Sequence, residues 1–249
     1  MDGLKESLEY AVELAKPNVM ELETEDGFVG IFSDKKLYPV RPDLPLAREI
    51  KLTTLTSLVD YIKSSVDCSE KGRNLLVHVV SPICVELKSE LNVNKEREFL
   101  AISNYDAPRF EFNKYYDHES FIVAVQSKFI DDPETRRANI LAFAGTVEAS
   151  SITSYGDDGI SQKATIKQGI ASKADAVVPN PVILRPFRTF HEVEQPTSSF
   201  IFRMREGING VECALFEADG GAWKNNAMKR IAEYLSEALA DLKNITVIS

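Results

Sequence analysis

Cysteine is scarce in this chain, with three residues far apart among 249, and that scarcity excludes both a disulfide scaffold and a metal knuckle. Cys68, Cys84 and Cys213 therefore read as reduced thiols. Long apolar runs are missing as well. None approaches the roughly 20 residues that cross a bilayer, and the opening Met1-Asp2-Gly3-Leu4-Lys5-Glu6 lacks the basic and then apolar order of a secretion signal. The expectation is a cytoplasmic protein with no membrane partner. Net positive charge is also lacking: a formal charge of −9 argues against a protein whose main business is wrapping nucleic acid, although a local basic groove stays open. No phosphate loop, dinucleotide glycine pattern, nucleophile elbow or zinc-binding spacing occurs. This lowers the case for the commonest nucleotide-dependent and hydrolytic chemistries without excluding an enzyme whose residues converge only in space. No catalytic residue, cofactor or metal is assigned.

What is present is an ordinary globular composition, 44% apolar and 27% charged, long enough for one large domain or two small ones. The most informative stretch is the end. Ser198 to Glu206 and Gly210 to Ala218 read as a strand pair, in which Phe200, Phe202 and Met204 alternate with Ile201, Arg203 and Arg205. One face is thus apolar and the other largely basic. A long amphipathic helix from about Gly221 to Leu242 follows, with Ile231, Leu235, Ala238 and Leu242 forming a stripe that must be buried, and then a short apolar tail, Ile245–Ile248.

Ahead of that block, residues 2–16 predict an amphipathic helix with Leu4, Leu8, Ala11, Val12 and Ala15 on one face and Pro17 just beyond it. Such a helix needs a surface to lie on, in its own chain or in a neighbour. A hairpin of Val19–Leu22 and Phe28–Phe32 comes next, joined by Glu23-Thr24-Glu25-Asp26-Gly27, and Pro39, Pro42 and Pro45 mark a linker. Thr54 caps a helix to about Ser65, with Leu55, Leu58, Val59 and Ile62 on one side. Strands at 74–80, 83–90 and 97–104 follow, with Ser81-Pro82 as a tight turn. Asp117 caps a helix carrying Phe121, Ile122, Val125 and Phe129, and Asp132-Pro133-Glu134 starts another that runs to about Ala144. Strands at 147–155, 162–170 and 182–189 lead to the closing pair. Gly156-Asp157-Asp158-Gly159 and Pro179-Asn180-Pro181 separate them. Helices in succession after strands mean α+β: mainly antiparallel sheets with flanking helices and a long C-terminal amphipathic helix. The expected divisions are an N-terminal arm over 1–49, an αβββαα subdomain over 50–145 and a strand-rich subdomain over 146–249, the pattern being equally consistent with the last two forming one continuous domain.

The three histidines each have a dull explanation beside the chemical one. His78 suits a hydrogen-bonded strand residue, His118 accompanies a helix start whose acidic neighbours complement the helix dipole, and His191 suits a solvated turn. Asp157-Asp158 sits beside glycines, where Asp bonds to nearby backbone. Trp223 reads as a packing anchor. Arg185, Arg188, Arg203 and Arg205 are the only basic concentration interleaved with aromatics, as in single-strand nucleic-acid grooves. Strand alternation opposes that use, because Phe202 and Met204 lie on the face opposite Arg203 and Arg205. A core-facing apolar row with a solvent-facing or intersubunit Arg row is the stronger reading.

This order of elements resembles the YfdQ-like family of phage and prophage proteins. The resemblance is carried by Thr54-Leu55-Thr56-Ser57-Leu58-Val59-Asp60-Tyr61-Ile62, the strands from His78 to Asn104, the helix Asp117–Phe129, and the closing Phe200-Ile201-Phe202-Arg203-Met204-Arg205 strand with its paired strand and helix. The family's Asp117–Phe129 helix is usually richer in Trp and acidic residues; here it carries His118 and Gln126. The resemblance implies a phage or prophage origin, no catalytic residues to transfer, and an intracellular protein. Joined to the residue reading, the expectation is a non-enzymatic homo-oligomer whose candidate contact surface is Arg185, Arg188, Arg203 and Arg205. Its alternatives are a nucleic-acid-associated accessory factor of replication or recombination using those arginines, and an enzyme or ligand binder built from His78, His118 or His191.

Overall fold

The structure, a computed structural model, describes residues 2–15, 20–23, 29–33, 36–40, 46–64, 66–67, 73–148, 151–157, 162–168, 172–178, 180–208 and 210–249. The chain divides into two compact units, Met1–Ala47 with Leu91–Glu98, and Arg48–Glu90 with Phe99–Ser249. The first holds α1 (Asp2–Ala15) and a three-stranded antiparallel sheet, β1 (Met20–Glu23), β2 (Val29–Ser33) and β3 (Lys36–Val40), in that order. The expected hairpin is β1 and β2, with Met20 opposite Phe32. Pro39 does not stop a strand: it lies in β3, opposite Gly30, at the edge of the sheet, where a missing N–H costs no ladder bond. Pro17, Thr24–Gly27, Pro42, Pro45, Cys68, Asp158-Gly159 and Pro179 lie outside the described residues.

The second unit runs β4 (Ile50–Leu52), α2 (Leu55–Ser64), β5 (Leu75–Ser81), β6 (Cys84–Ser89), β7 (Phe99–Asn104), β8 (Tyr116–Asp117), α3 (His118–Lys128) and α4 (Arg137–Glu148). It continues through β9 (Ser151–Asp157), β10 (Gln162–Gln168), β11 (Ser172–Val178), β12 (Val182–Leu184), β13 (Ser198–Gly207), β14 (Gly210–Glu217), α5 (Ala222–Ala238) and β15 (Ile245–Ile248). The fold is α+β, as the alternation and the helix stripes require. Two cores form. In one, the sheet β15-β5-β6-β7-β4 turns Val77, Val79, Val85 and Leu87 onto Leu55, Leu58 and Ile62 of α2 and Ile231 and Leu235 of α5. In the other, the sheet β12-β13-β14-β8 turns Phe200, Phe202, Met204 and Leu215 onto Phe121 and Val125 of α3 and Ile140 of α4. The third sheet of the unit is the antiparallel β11-β10-β9.

Local signals account for the element starts. Thr54 Oγ1 accepts from Ser57 N at 3.1 Å ahead of α2, and Asp117 Oδ1 accepts from Ser120 N at 3.0 Å ahead of α3, both satisfying otherwise orphaned amides. Several expectations are corrected. The helix after Asp132 begins at Arg137, because Asp132 instead closes a turn, its Oδ1 accepting from Glu134 N and its carbonyl from Thr135 N. It then continues through Gly145 to Glu148. The strand expected over 182–189 ends at Leu184, since Pro186 and the residues after it turn into a loop. The C-terminal helix ends at Ala238 rather than Leu242. Ile245–Ile248 is not a tail but β15, pairing in parallel with β5. β3, β4, β8 and β11 are further strands that the alternation pattern missed.

Candidate functional site

Among the described residues, the loop from Arg185 to Thr197 holds three of the six buried polar side chains, Arg188, Thr189 and Gln195. It leaves the edge strand β12, whose core residues are Val182 and Leu184, and sends Phe190 and Val193 into the other core. Gln195 holds its shape. This side chain is buried, its Oε1 accepts from Arg188 N (3.0 Å) and Thr189 N (3.1 Å), and its Nε2 donates to Thr189 O and Phe190 O, both at 3.0 Å. Both ends of the amide are thus engaged twice, which meets the requirement that a buried amide be satisfied. Thr189 Oγ1 donates to Pro82 O at 2.5 Å, tying the loop to the β5–β6 turn.

The four arginines expected on one contact surface occupy different environments. Arg188 is only 7% exposed. Its Nη1 pairs with Glu217 at 2.7 Å at the end of β14, its Nη2 donates to Ser198 Oγ, and its guanidinium lies 4.0 Å from the Trp223 ring centre at the start of α5. Phe112 and Phe200 flank it at 5.8 and 5.6 Å. Burial pushes its pKa down to about 10, against the opposing pull of Glu217 and Asp219, so it is still a cation at neutral pH. Trp223 is the anchor expected of it, but for a charged partner.

Asp219 completes this cluster. Gly220 and Gly221 have φ of 62° and 81°, a left-handed pair that lets the chain turn from β14 into α5. The turn lets Asp219 Oδ1 accept from Gly221 N at 3.0 Å. Burial raises the Asp219 carboxyl, but the hydrogen bonds from Ser198 and Gly221 and the charge of Arg188 outweigh it and hold the group below its ordinary range.

Arg185 is held by Asp132 at 2.9 Å and Glu194 at 3.4 Å, and Glu194 is shared with Arg230 of α5 at 3.0 Å. Arg205 lies on the outer face of β13, its Nε 2.7 Å from Glu212 and its guanidinium 3.9 Å from the Tyr115 ring centre. Arg203 is half-buried on the same face, opposite Ala214. The outer row of β13 and β14 therefore combines Arg203 and Arg205 with half-buried Ile201 and Phe216, paired across the strands. Arg185 and Arg188 belong to the loop instead.

The histidines fall in three separate settings. Lys88 Nζ donates to His78 Nδ1 at 3.5 Å while pairing with Glu86 at 2.7 Å. His118 Nε2 bonds to Ala144 O at 2.9 Å. His191 Nε2 and the Tyr105 hydroxyl share a 2.8 Å hydrogen bond at an exposed turn. Burial, then Glu192 and Asp106, push the Tyr105 pKa up, so the phenol stays protonated at neutral pH. Glu192 accepts from Thr56 N at 3.0 Å at the start of α2. Burial raises Cys84, with Glu86 adding to the shift, and pushes Cys213 up to about 12, which leaves both as thiols rather than nucleophilic thiolates. A surface cavity of about 520 Å³ along Asp131–Asn139 is lined by none of the histidines. Among the described residues, no three His, Cys, Asp or Glu side chains are placed to hold a metal ion, and no helix is long and apolar enough to cross a membrane.

Sequence reasoning found Arg188 and Trp223 but missed their meeting, and missed Gln195, Ser198, Glu217 and Asp219 altogether. Their separations, such as 29 residues from Arg188 to Glu217, follow no helical or strand period. No protein-family model, curated protein or solved structure matches the chain.

Proposed function

We propose that this protein is a non-catalytic, self-assembling component of a phage or prophage that acts in the host cytoplasm as a homo-oligomer, with the outer row of β13 and β14 as one contact face. The observation that supports this reading best is the charge balance of that face. Arg205 already has Glu212 as a partner and Tyr115 as a stacking surface, and Ile201 and Phe216 lie half-buried beside Arg203. A patch of rigid guanidinium, aromatic and aliphatic groups without a large net charge has the composition of a protein interface. Light scattering on the intact chain at micromolar concentration tests it: the expected mass is a multiple of 27.8 kDa, and a clean monomer overturns it.

The second reading is a single-strand nucleic-acid contact through Arg203 and Arg205, favoured by Tyr115 and Phe216, which supply rings on the same face at 6.0 Å from each other. It expects binding at low salt that falls steeply as salt rises and falls again in Arg203→Ala/Arg205→Ala. Fluorescence anisotropy with a labelled single strand measures it, and no binding at 20 mM salt removes it.

A further inference from the structure

The helix α1 is exposed at every residue from Gly3 to Leu14, and five of those residues are large and apolar: Leu4, Leu8, Tyr10, Val12 and Leu14, each 59–74% exposed. At 3.6 residues per turn, Leu14, Ala11, Leu4, Leu8 and Val12 fall within one arc of about 160°, interrupted only by Ser7. Lys5, Glu9, Asp2, Glu13 and Glu6 fill the opposite arc, with Lys5 and Glu9 4.0 Å apart. A helix of 14 residues is marginal in water unless an apolar face is covered, so this one needs a partner.

We infer that α1 from more than two copies of this chain gather into a helical bundle, each helix packed between two neighbours. The inference rests on the self-assembly reading above and supplies its nucleus. Two observations select this occupant. The first is the charge of the polar arc, four carboxylates against one ammonium. Helices that lie on membrane surfaces carry Lys and Arg there, and an anionic lipid surface repels this one. In a bundle the carboxylates point outward into water.

The second is the width of the apolar arc against the area it can bury. A helix about 21 Å long and 10 Å across covers on the order of 200–400 Å² when it meets one neighbour. Stable interfaces need about 800 Å² per partner. A two-helix seam also uses a narrow stripe, whereas an arc of about 160° serves a helix with a neighbour on each side.

The test uses the full chain. Light scattering and sedimentation of the wild type are expected to give at least three chains per particle. Leu4→Asp/Leu8→Asp is expected to raise the protein concentration needed for assembly at least tenfold, while Leu8→Ile and the polar-arc variant Glu6→Gln leave it unchanged. Fluorescence of Trp223 through urea unfolding shows whether the variants keep the unit that carries α5, and far-ultraviolet circular dichroism whether they keep the wild-type helix content, so that loss of assembly is not loss of structure. If the wild type assembles and the Asp variant assembles equally well, the α1 bundle is overturned and the self-assembly reading survives. A wild-type dimer overturns the bundle alone, and a wild-type monomer overturns both. Flotation of the wild type with phosphatidylcholine vesicles, abolished by Leu8→Asp, overturns the bundle in favour of a lipid surface.

Discussion

Arg188 is a cation withdrawn from water, and its value to the protein depends on every partner it keeps. Removing one member of a buried ion pair leaves the other without compensation, which costs about 3–5 kcal/mol. Here Glu217 is a third exposed, which moderates the loss. Arg188→Ala is expected to lower stability by about 3 kcal/mol, and Arg188→Met/Glu217→Gln to recover at least half of it. Urea unfolding followed by Trp223 fluorescence reads both, and an unchanged midpoint in Arg188→Ala would refute the assignment. Asp219 adds a pH dependence. Because its folded-state pKa is depressed, it stabilises the fold above its unfolded value near 4, and that contribution is lost as pH falls through the lower folded value. Asp219→Asn should therefore be less stable than the wild type at pH 7 and show a shallower loss of stability below about pH 4. Since Trp223 is the single tryptophan, its emission reports on this cluster directly.

At the scale of elements, legibility followed the length and regularity of the pattern. The β13–β14 pair could be read because Phe200, Phe202 and Met204 alternate over a strand of ten residues, and α2 because four buried residues follow its one face. Ser172–Val178 alternates Lys173 and Asp175 only with the small Ala174 and Ala176 before Val177 and Val178 break the period, a signal too short and too weakly apolar to mark a strand, so its membership of a sheet depends on the register with β10. The loop carrying Arg188 was illegible for a related reason: Gln195 bonds backbone groups five to seven residues away, a geometry no local preference encodes. β15 has only four residues, yet it is anchored at its base, where Leu75 N donates to Asn244 O (2.9 Å) and Asn244 Nδ2 to Arg73 O (2.7 Å). Deleting residues 244–249 removes these bonds and half-buried Ile245 and Val247. A loss of about 2 kcal/mol is expected from the apolar area alone, read as a shift in the urea midpoint; a truncated chain as stable as the intact one would show that the strand is dispensable.

Across the whole molecule, the net charge of −9 sets copies of the chain against one another, and salt screens that repulsion over a Debye length of about 10 Å at 0.1 M. Raising sodium chloride from 50 to 500 mM is therefore expected to hold or strengthen self-association while it weakens any contact with nucleic acid; assembly that dissolves in high salt would point to ion pairs as its main glue. The β15–β5 pairing has a consequence in time. Asn244 bonds a residue 171 positions earlier, so at roughly 5–20 residues per second a ribosome needs on the order of 10–30 s after making β5 before the strand that closes its edge exists. Throughout that interval β5, with Leu75, Val77 and Val79 destined for the core, offers a bare edge to whatever is nearest. The nascent protein is thus most open to mispairing, and to capture by a chaperone, while it is still being made.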